Sequence, residues 1–221
     1  MERVEITVRG EHVAFRPAER ATVHGQVVLE ASSAEAVYTA TGRASDAVTS
    51  SVAALHDRER GPVTWWSSDQ VRTWAQRPWN AEGKQLPVVH HARTQLQVKF
   101  SDFSQMSAWL SQVSCVDGFG VERIEWALTA AHRNALVRDV RMAAVRDAQQ
   151  KAQTYADALD LGRVHVVAVA DAGMLGEGLE PSQASPAAFS RAAASQGDGA
   201  VAFVPQDVSV AARVDARFAL S

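Results

Sequence analysis

The spacing of apolar residues changes several times along the chain and predicts both strands and helices. In "VEITVRG" and "ATVHGQVVLE" every second residue is apolar, which is typical of strands that bury one face. We expect these two strands to form a hairpin around Pro17. Residues 32–55, 102–114 and 134–160 instead follow the spacing of a helix with one apolar face.

A long β-hairpin is predicted in the middle of the chain. The segments "VTWWSSDQVRTWAQRPW" and "LPVVHHARTQLQVKF" both favour strands, and the glycine-containing "NAEGK" between them favours a turn. In the second arm, the even-numbered residues Ala92–Phe100 are predicted to face the core. The odd-numbered residues Arg93–Lys99 are predicted to lie on the opposite face.

Three more strands complete the order ββαββαβαββ: "GVERIEWAL", "RVHVVAVAD" and "DVSVAARVDARFAL". This order predicts an α+β fold with mixed, largely antiparallel sheets, helices packed on them and a long protruding β-hairpin. The 221 residues are interpreted as one domain, 1–221. Within it, residues 172–206 are rich in Ala, Ser, Gly and Pro, which predicts a long flexible insertion before the last strand.

Composition narrows the class of protein. Hydrophobic residues make up 47% and charged residues 21% of the chain, as in ordinary globular proteins. The net charge of −3 argues against nucleic acid as a partner. We expect no transmembrane segment, because no apolar run approaches about 20 residues. No signal peptide is recognisable, which predicts a cytoplasmic protein if Met1 is the native start and leaves a periplasmic one open otherwise.

Residues that often carry chemistry are present but poorly placed for it. His90 and His91 could bind zinc, yet neighbours on a strand point to opposite faces, so we predict no metal and no cofactor. Glu122 and Glu125 are expected on opposite faces of their strand, so we predict no catalytic pair of carboxylates there. Cys115 is the one cysteine and is interpreted as a small packed hydrophobe at a helix end. The sequence therefore favours a protein without enzymatic activity.

His12 and His24 would face each other if the first two strands formed a hairpin. Nothing in their spacing distinguishes a site from ordinary strand positions. The sequence contains neither a nucleophile elbow nor a phosphate-binding glycine motif. No catalytic residue is therefore predicted.

Tryptophan and arginine residues crowd the first arm of the predicted hairpin. This combination is typical of the binding hot spots of protein interfaces, although it also suits a sheet core or the stacking of single-stranded nucleic acid. Neighbouring tryptophans on a regular strand point to opposite faces, so at least one leaves the core. We predict an oligomer interface formed by Trp65, Trp66, Arg72, Trp74, Arg77 and Trp79.

Three segments together resemble one family. They are "ITVRGEHVAFRPAERATV", then "AAVRDAQQKAQTYADALDLG" with "VHVVAVAD", and finally "VPQDVSVAARVDARFAL". This order is similar to that of the SIMPL-domain family of bacterial periplasmic and outer-membrane immunogenic proteins and an animal kinase-associated protein. The chain departs at Ala18, where relatives often have aspartate. The resemblance implies an α+β fold, ring-like or channel-like oligomers, no established catalytic residues and links to stress responses or signalling.

The second of these segments has a regular pattern of its own. Alanine recurs every four residues from Ala144 to Ala156, so small side chains drift only about 40° around the helix at each step. We expect this stripe to pack closely on a sheet, with Tyr155 and Leu159 widening it. Asp147 and Lys151 can pair along the helix, and Gly162 is predicted as its left-handed cap.

Two function hypotheses from different classes follow. The first is a non-enzymatic scaffold that self-assembles into a homo-oligomer and has a second copy, or another protein, as its partner. The second is a ligand- or metal-binding protein, or an enzyme, that uses the hairpin histidines His90 and His91. A module that stacks single-stranded nucleic acid is a third reading, and the acidic net charge argues against it.

Overall fold

The computed structural model describes residues 4–175 and 204–220. Within these ranges the chain forms antiparallel sheets with helices packed on them, which confirms the α+β fold. The predicted insertion 172–206 lies mostly outside the described residues. The elements are β1 Glu5–Arg16, β2 Arg20–Ala31, α1 Ala34–Leu55, β3 Val63–Ser68, β4 Arg72–Gln76, β5 Val89–Phe100, α2 Phe103–Val113, β6 Phe119–Ala127, α3 Ala130–Ala158, β7 Val164–Asp171 and β8 Val208–Leu220.

The observed order differs from the predicted one at a single point. The first arm of the long hairpin is divided into β3 and β4, and both pair antiparallel with β5. The interruption lies between Ser68 and Arg72, where the register against β5 shifts by one residue. Alternation of apolar residues does not reveal such a break, because both halves keep a strand-like pattern.

The predicted hairpin of β1 and β2 is wrong. β1 pairs with β8 over its full length, from Glu5 opposite Ala219 to Arg16 opposite Val208. β2 pairs with β5 on one side and β6 on the other. The described chain divides into two compact units, one holding β1, α3, β7 and β8, and the other holding the remaining elements. Pro17 therefore separates two units instead of forming a hairpin turn.

In the first unit, the sheet order is β1-β8-β7, and α3 packs on the sheet through small residues. A side chain at Gly10 of β1 would have its Cβ 2.0 Å from the carbonyl oxygen of Ala144 and 2.7 Å from Ala148 Cβ. The helix backbone thus lies directly against the strand. The alanine stripe of α3 packs against Gly10 of β1. Only the hydrogen atom of a glycine side chain fits at position 10.

Side chains of α3 also bind the outer edge of β1. The Glu11 N–H donates to Asp147 Oδ2 at 2.8 Å, and Lys151 Nζ donates to the carbonyl of Arg9 at 3.1 Å. Asp147 and Lys151 pair with each other at 2.8 Å, as predicted. This ion pair satisfies main-chain groups that a further strand would need, so it protects this part of the β1 edge.

The C-terminal end of α3 differs from the prediction in two ways. Tyr155 and Leu159 do not widen the buried stripe, since they are 56% and 64% exposed. The left-handed residue that directly follows the helix end is Asp160, with φ of 53°, and the Leu161 N–H donates to the Ala156 carbonyl. Gly162 also has positive φ but lies two residues further on. The left-handed cap of α3 therefore lies at Asp160, two residues before the predicted Gly162.

The segment after β7 is anchored to the sheet by a buried carboxylate. Asp215 on β8 is 2% exposed. It accepts hydrogen bonds from Arg9 Nε at 2.7 Å, Arg9 Nη2 at 3.1 Å and the Gly173 N–H at 2.6 Å. The hydrogen bond from the Arg9 guanidinium holds the pKa of Asp215 below its usual value, and the Gly173 N–H acts in the same direction.

In the second unit, large side chains fill the core. The sheet order is β3-β5-β2-β6, with β4 also paired to β5. Both α1 and α2 cover one face of this sheet. Trp109 of α2 is buried, donates its Nε1–H to Ser51 Oγ at 2.9 Å, and lies 5.3 Å from Phe100 between ring centroids. The core also contains Val23, Val27, Val48, Val52, Val63, Leu96, Val98, Met106, Leu110 and Val113.

Candidate functional site

The long hairpin presents two different faces, as the alternation in its second arm predicted. The even-numbered residues of β5 from Ala92 to Phe100 are buried against the helices. The odd-numbered residues lie on the opposite side, together with aromatic side chains of β3 and β4. We call this side the hairpin outer face and define it by Trp65, Trp74, His91, Arg93, Gln95, Gln97 and Lys99.

A β-bulge turns one tryptophan outward. Val63 pairs with Phe100 and Trp65 pairs with Lys99, so Thr64 is an extra residue that shifts the alternation of β3. Val63 is buried and Trp66 packs against the core, whereas Trp65 is 44% exposed. Lys99 Nζ lies 5.9 Å from the ring centroid of Trp65, within the range of a cation–π interaction. The two tryptophans thus occupy opposite faces, as expected.

Trp74 is the aromatic centre of β4. It is 44% exposed, and its ring stacks on His91 with centroids 5.2 Å apart and planes inclined by 11°. Glu30 Oε2 lies 3.7 Å from His91 Nδ1 on the far side of β5. Trp74, His91 and Glu30 therefore form a row across three neighbouring strands, with its aromatic end on β4.

The other predicted interface residues lie along the first arm and near its tip. Trp79 is 63% exposed, and it bridges to Gln85 across the turn. Arg77 Nη1 donates to Gln85 Oε1 at 3.5 Å. Arg72 stands opposite Arg93 in the β4–β5 pair and is exposed. Sequence reasoning located these positions but missed the stack on His91 and the Lys99 contact, because both need the strand register.

Two glutamates of β6 lie on the same face, contrary to the prediction. Glu122 pairs with Arg93 and also accepts from Gln95 Nε2, while Glu125 Oε2 lies 3.4 Å from His24 Nε2. The reason is a register shift in the β2–β6 pair between His24 and Gly25, which inserts one extra residue into β6. A simple period of two therefore fails at this point.

The positions that suggested metal or thiol chemistry are separated or exposed. His90 and His91 alternate between the two faces of β5. His12 stands opposite Ala212, and His24 stands opposite Gln97. Cys115 is exposed, so its interpretation as a packed hydrophobe is wrong. Residues 4–175 and 204–220 contain no group of three or more His, Cys, Asp or Glu side chains placed to hold a metal ion.

None of the helices in the described ranges combines the length and the apolar character needed to cross a membrane. A search of curated proteins found no match to this chain. The SIMPL family model, described as a protein of unknown function (DUF541), matches residues 6–218. This range contains the Gly10 contact, the alanine stripe and the tryptophan hairpin. The chain belongs to the SIMPL family.

Proposed function

We propose that this protein is a non-enzymatic scaffold that assembles with further copies of itself through the hairpin outer face and the exposed Trp79. Its role is structural and belongs to a stress or signalling response. The observation that supports assembly most is the exposure of Trp65, Trp74 and Trp79 on one hairpin. Tryptophan and arginine are enriched among the few residues that supply most of the binding energy of protein interfaces.

The surroundings of these tryptophans support a protein partner more than a charged ligand. On the same side of the sheet, Arg93 is paired with Glu122, and His24 Nε2 lies 3.4 Å from Glu125 Oε2. A surface for nucleic acid usually belongs to a clearly basic protein, whereas the net charge of this chain is −3. Aromatic rings beside arginines and the amides of Gln95 and Gln97 match the composition of a protein–protein interface.

The alternative function, a ligand or metal site at the hairpin histidines, has one specific contact in its favour. His91 is held between the Trp74 ring and Glu30. His90 lies on the other face, so the two histidines do not converge on one ion. Metal analysis of the purified protein separates the two functions. Stoichiometric zinc that disappears in a His91→Ala variant supports the alternative.

The proposal is tested by the oligomer mass of tryptophan variants. We expect Trp65→Ser combined with Trp74→Ser to reduce the mass to that of a smaller species, because each replacement removes an exposed aromatic anchor. Trp66→Ser is a contrast from the same strand. It opens a gap in the core, so it should lower the free energy of unfolding. An unchanged oligomer in the double variant rejects the hairpin as the interface.

A further inference from the structure

β4 is a short edge strand whose free side is directed away from β5. In the described parts of the chain, β4 forms a ladder only with β5, and all its residues are exposed. Other edges carry protection, such as the Asp147–Lys151 pair on β1 and the bulge and charges of β6. β4 contains neither a proline nor a bulge, and no strand among the described residues occupies its free side, so this edge can accept another strand.

The hydrogen-bond pattern shows which residues of β4 point outward. The Asp69 N–H donates to the Gln95 carbonyl at 2.8 Å, so odd-numbered residues of β5 direct their main-chain groups toward β3 and β4. Their partners Arg72 and Trp74 use their own groups for the β4–β5 ladder. Thr73 and Ala75 therefore direct their N–H and C=O groups to the free edge.

We infer that β4 pairs antiparallel with β4 of a second copy, across a two-fold axis at Trp74. This inference rests on the proposed self-assembly and specifies the strand and register. With the axis at Trp74, Thr73 of each copy faces Ala75 of the other, and each of these pairs exchanges two main-chain hydrogen bonds. With an axis at Thr73, Ala75 would face Val71, which precedes the strand. This register would therefore form fewer main-chain hydrogen bonds between the copies.

The side chains of "RTWAQ" suit the same register. Trp74 faces its own copy in a non-hydrogen-bonded pair, where antiparallel side chains come closest, and aromatic pairs stabilise such positions. Arg72 faces Gln76 of the other copy, so no like charges are opposed. An axis at Arg72 would oppose two arginines. On the outer face, the two Trp74 rings then lie side by side across the axis. Each of them stacks on His91 of its own copy.

Disulfide trapping tests this register. In a Cys115→Ser background, which removes the exposed native thiol, Arg72→Cys is combined with Gln76→Cys. Positions 72 and 76 face each other across the axis in a non-hydrogen-bonded pair, with Cα atoms about 4.5 Å apart, within disulfide range. We expect a covalent dimer as the main species after mild oxidation. Trp74 is retained in this variant.

Arg72→Cys alone is the matched control. Its equivalent in the second copy lies four residues along the strand, about 14 Å away, which is too far for a disulfide. We expect no covalent dimer from this variant. A covalent dimer from Arg72→Cys alone, or none from the double variant, overturns the register. If the native mass still shows an oligomer in that case, the proposed function survives and only this inference fails.

A main-chain test complements the trapping. Ala75→Pro removes an N–H that points to the free edge and leaves the β4–β5 ladder intact, so we expect loss of the oligomer with unchanged circular dichroism. Ala75→Val keeps the N–H and should retain the oligomer. Retention of the full mass in Ala75→Pro contradicts the strand pairing, and a monomeric native protein contradicts both this inference and the proposed function.

Discussion

The two units use the same arrangement, helices on one face of an antiparallel sheet, but pack it with opposite kinds of residue. Under α3, Gly10 and the alanines from Ala144 to Ala152 bring backbone against backbone. Under α1 and α2, the core contains Trp109, Phe100 and Met106. The first contact depends on the absence of side chains, and the second depends on filled volume.

The sequence features typical of the family and the exposed tryptophans therefore lie in different units. The alanine repeat and the glycine-containing first strand, which made the chain resemble its family, belong to the unit packed by small residues. All six tryptophans lie between Trp65 and Trp126, in the other unit. Tryptophan fluorescence therefore reports on that unit alone, while far-ultraviolet circular dichroism reports on both.

The largest expected effect is that of Gly10→Val. A Cβ at this position meets Ala144 and Ala148 at distances no side chain can adopt, so α3 must move away from β1. We expect destabilisation of more than about 4 kcal/mol, at the upper end of single substitutions. The measurement is helical circular dichroism, to which the 29 residues of α3 contribute most.

Gly42→Ala in α1 is the control for that variant. Apart from its chain neighbours and the backbone of its own helix, no atom lies within 4 Å of the Cβ that alanine would add there. Removing a glycine from a helix interior should raise the free energy of unfolding by about 0.5–1 kcal/mol. If Gly10→Val and Gly42→Ala have similar effects, the close backbone contact under α3 does not stabilise the unit.

Trp109→Ala tests the unit packed by large residues. It removes a buried ring and leaves Ser51 Oγ without its donor. We expect a loss of about 3–4 kcal/mol in the free energy of unfolding, from lost burial and the remaining cavity. Urea unfolding followed by fluorescence of the other tryptophans measures it. Trp109→Phe keeps most of the volume and should cost less, and equal losses would contradict the volume argument.

Asp215→Ala removes the carboxylate that anchors the segment after β7. The Gly173 N–H and the Arg9 guanidinium lose their acceptor, and we expect a cost of about 2–3 kcal/mol. Thermal unfolding of the variant at neutral pH measures this cost. Asp207→Ala, another aspartate close in sequence, is the comparison, and an equal cost there would show that the anchor is not responsible.

The same carboxylate predicts a dependence on pH with a definite sign. The pKa of Asp215 is lower in the folded protein than in the unfolded chain, mainly through the Arg9 hydrogen bond. Its stabilisation is therefore complete above the unfolded pKa of about 3.9 and is lost as the pH falls through the lower, folded value. Asp147 contributes in the same direction through Lys151. Asp215→Ala should weaken the acid dependence of unfolding, and an unchanged acid limb would contradict this assignment.

The smallest expected effect is a gain from Asp160→Gly. Asp160 has the left-handed backbone that ends α3, and glycine adopts it without steric cost. We expect the free energy of unfolding to rise by about 0.5–1 kcal/mol. The measurement is thermal unfolding followed by the helical circular dichroism signal. Gly162→Ala should do the opposite, because φ there is +83°. A loss of stability in Asp160→Gly would show that the aspartate side chain contributes more than the backbone.

Local pattern was enough for the types of element and for the faces of β5, although not for the break between β3 and β4. The alternation from Ala92 to Phe100 predicted which residues are buried, because a regular strand has a strict period of two. Helix α3 and its alanine stripe were also recognisable, since a spacing of four residues leaves one face of small side chains. These features depend on neighbours in sequence.

Features that depend on distant partners were not predictable in the same way. The partner of β1 is β8, about 200 residues later, and no local signal distinguishes it from β2. The bulges at Thr64 and Glu122 reverse the alternation, and they become visible only in the register of β3 against β5 and of β6 against β2. The outward direction of Trp65 and the shared face of Glu122 and Glu125 follow from these bulges.

We propose that the tryptophan hairpin makes this protein assemble with further copies of itself. The most direct measurement is the mass of the native protein at micromolar concentration, by light scattering coupled to size exclusion. We predict a defined oligomer that falls to a smaller species when Trp65 and Trp74 are both replaced by serine. A monodisperse monomer of 23.8 kDa would contradict the account.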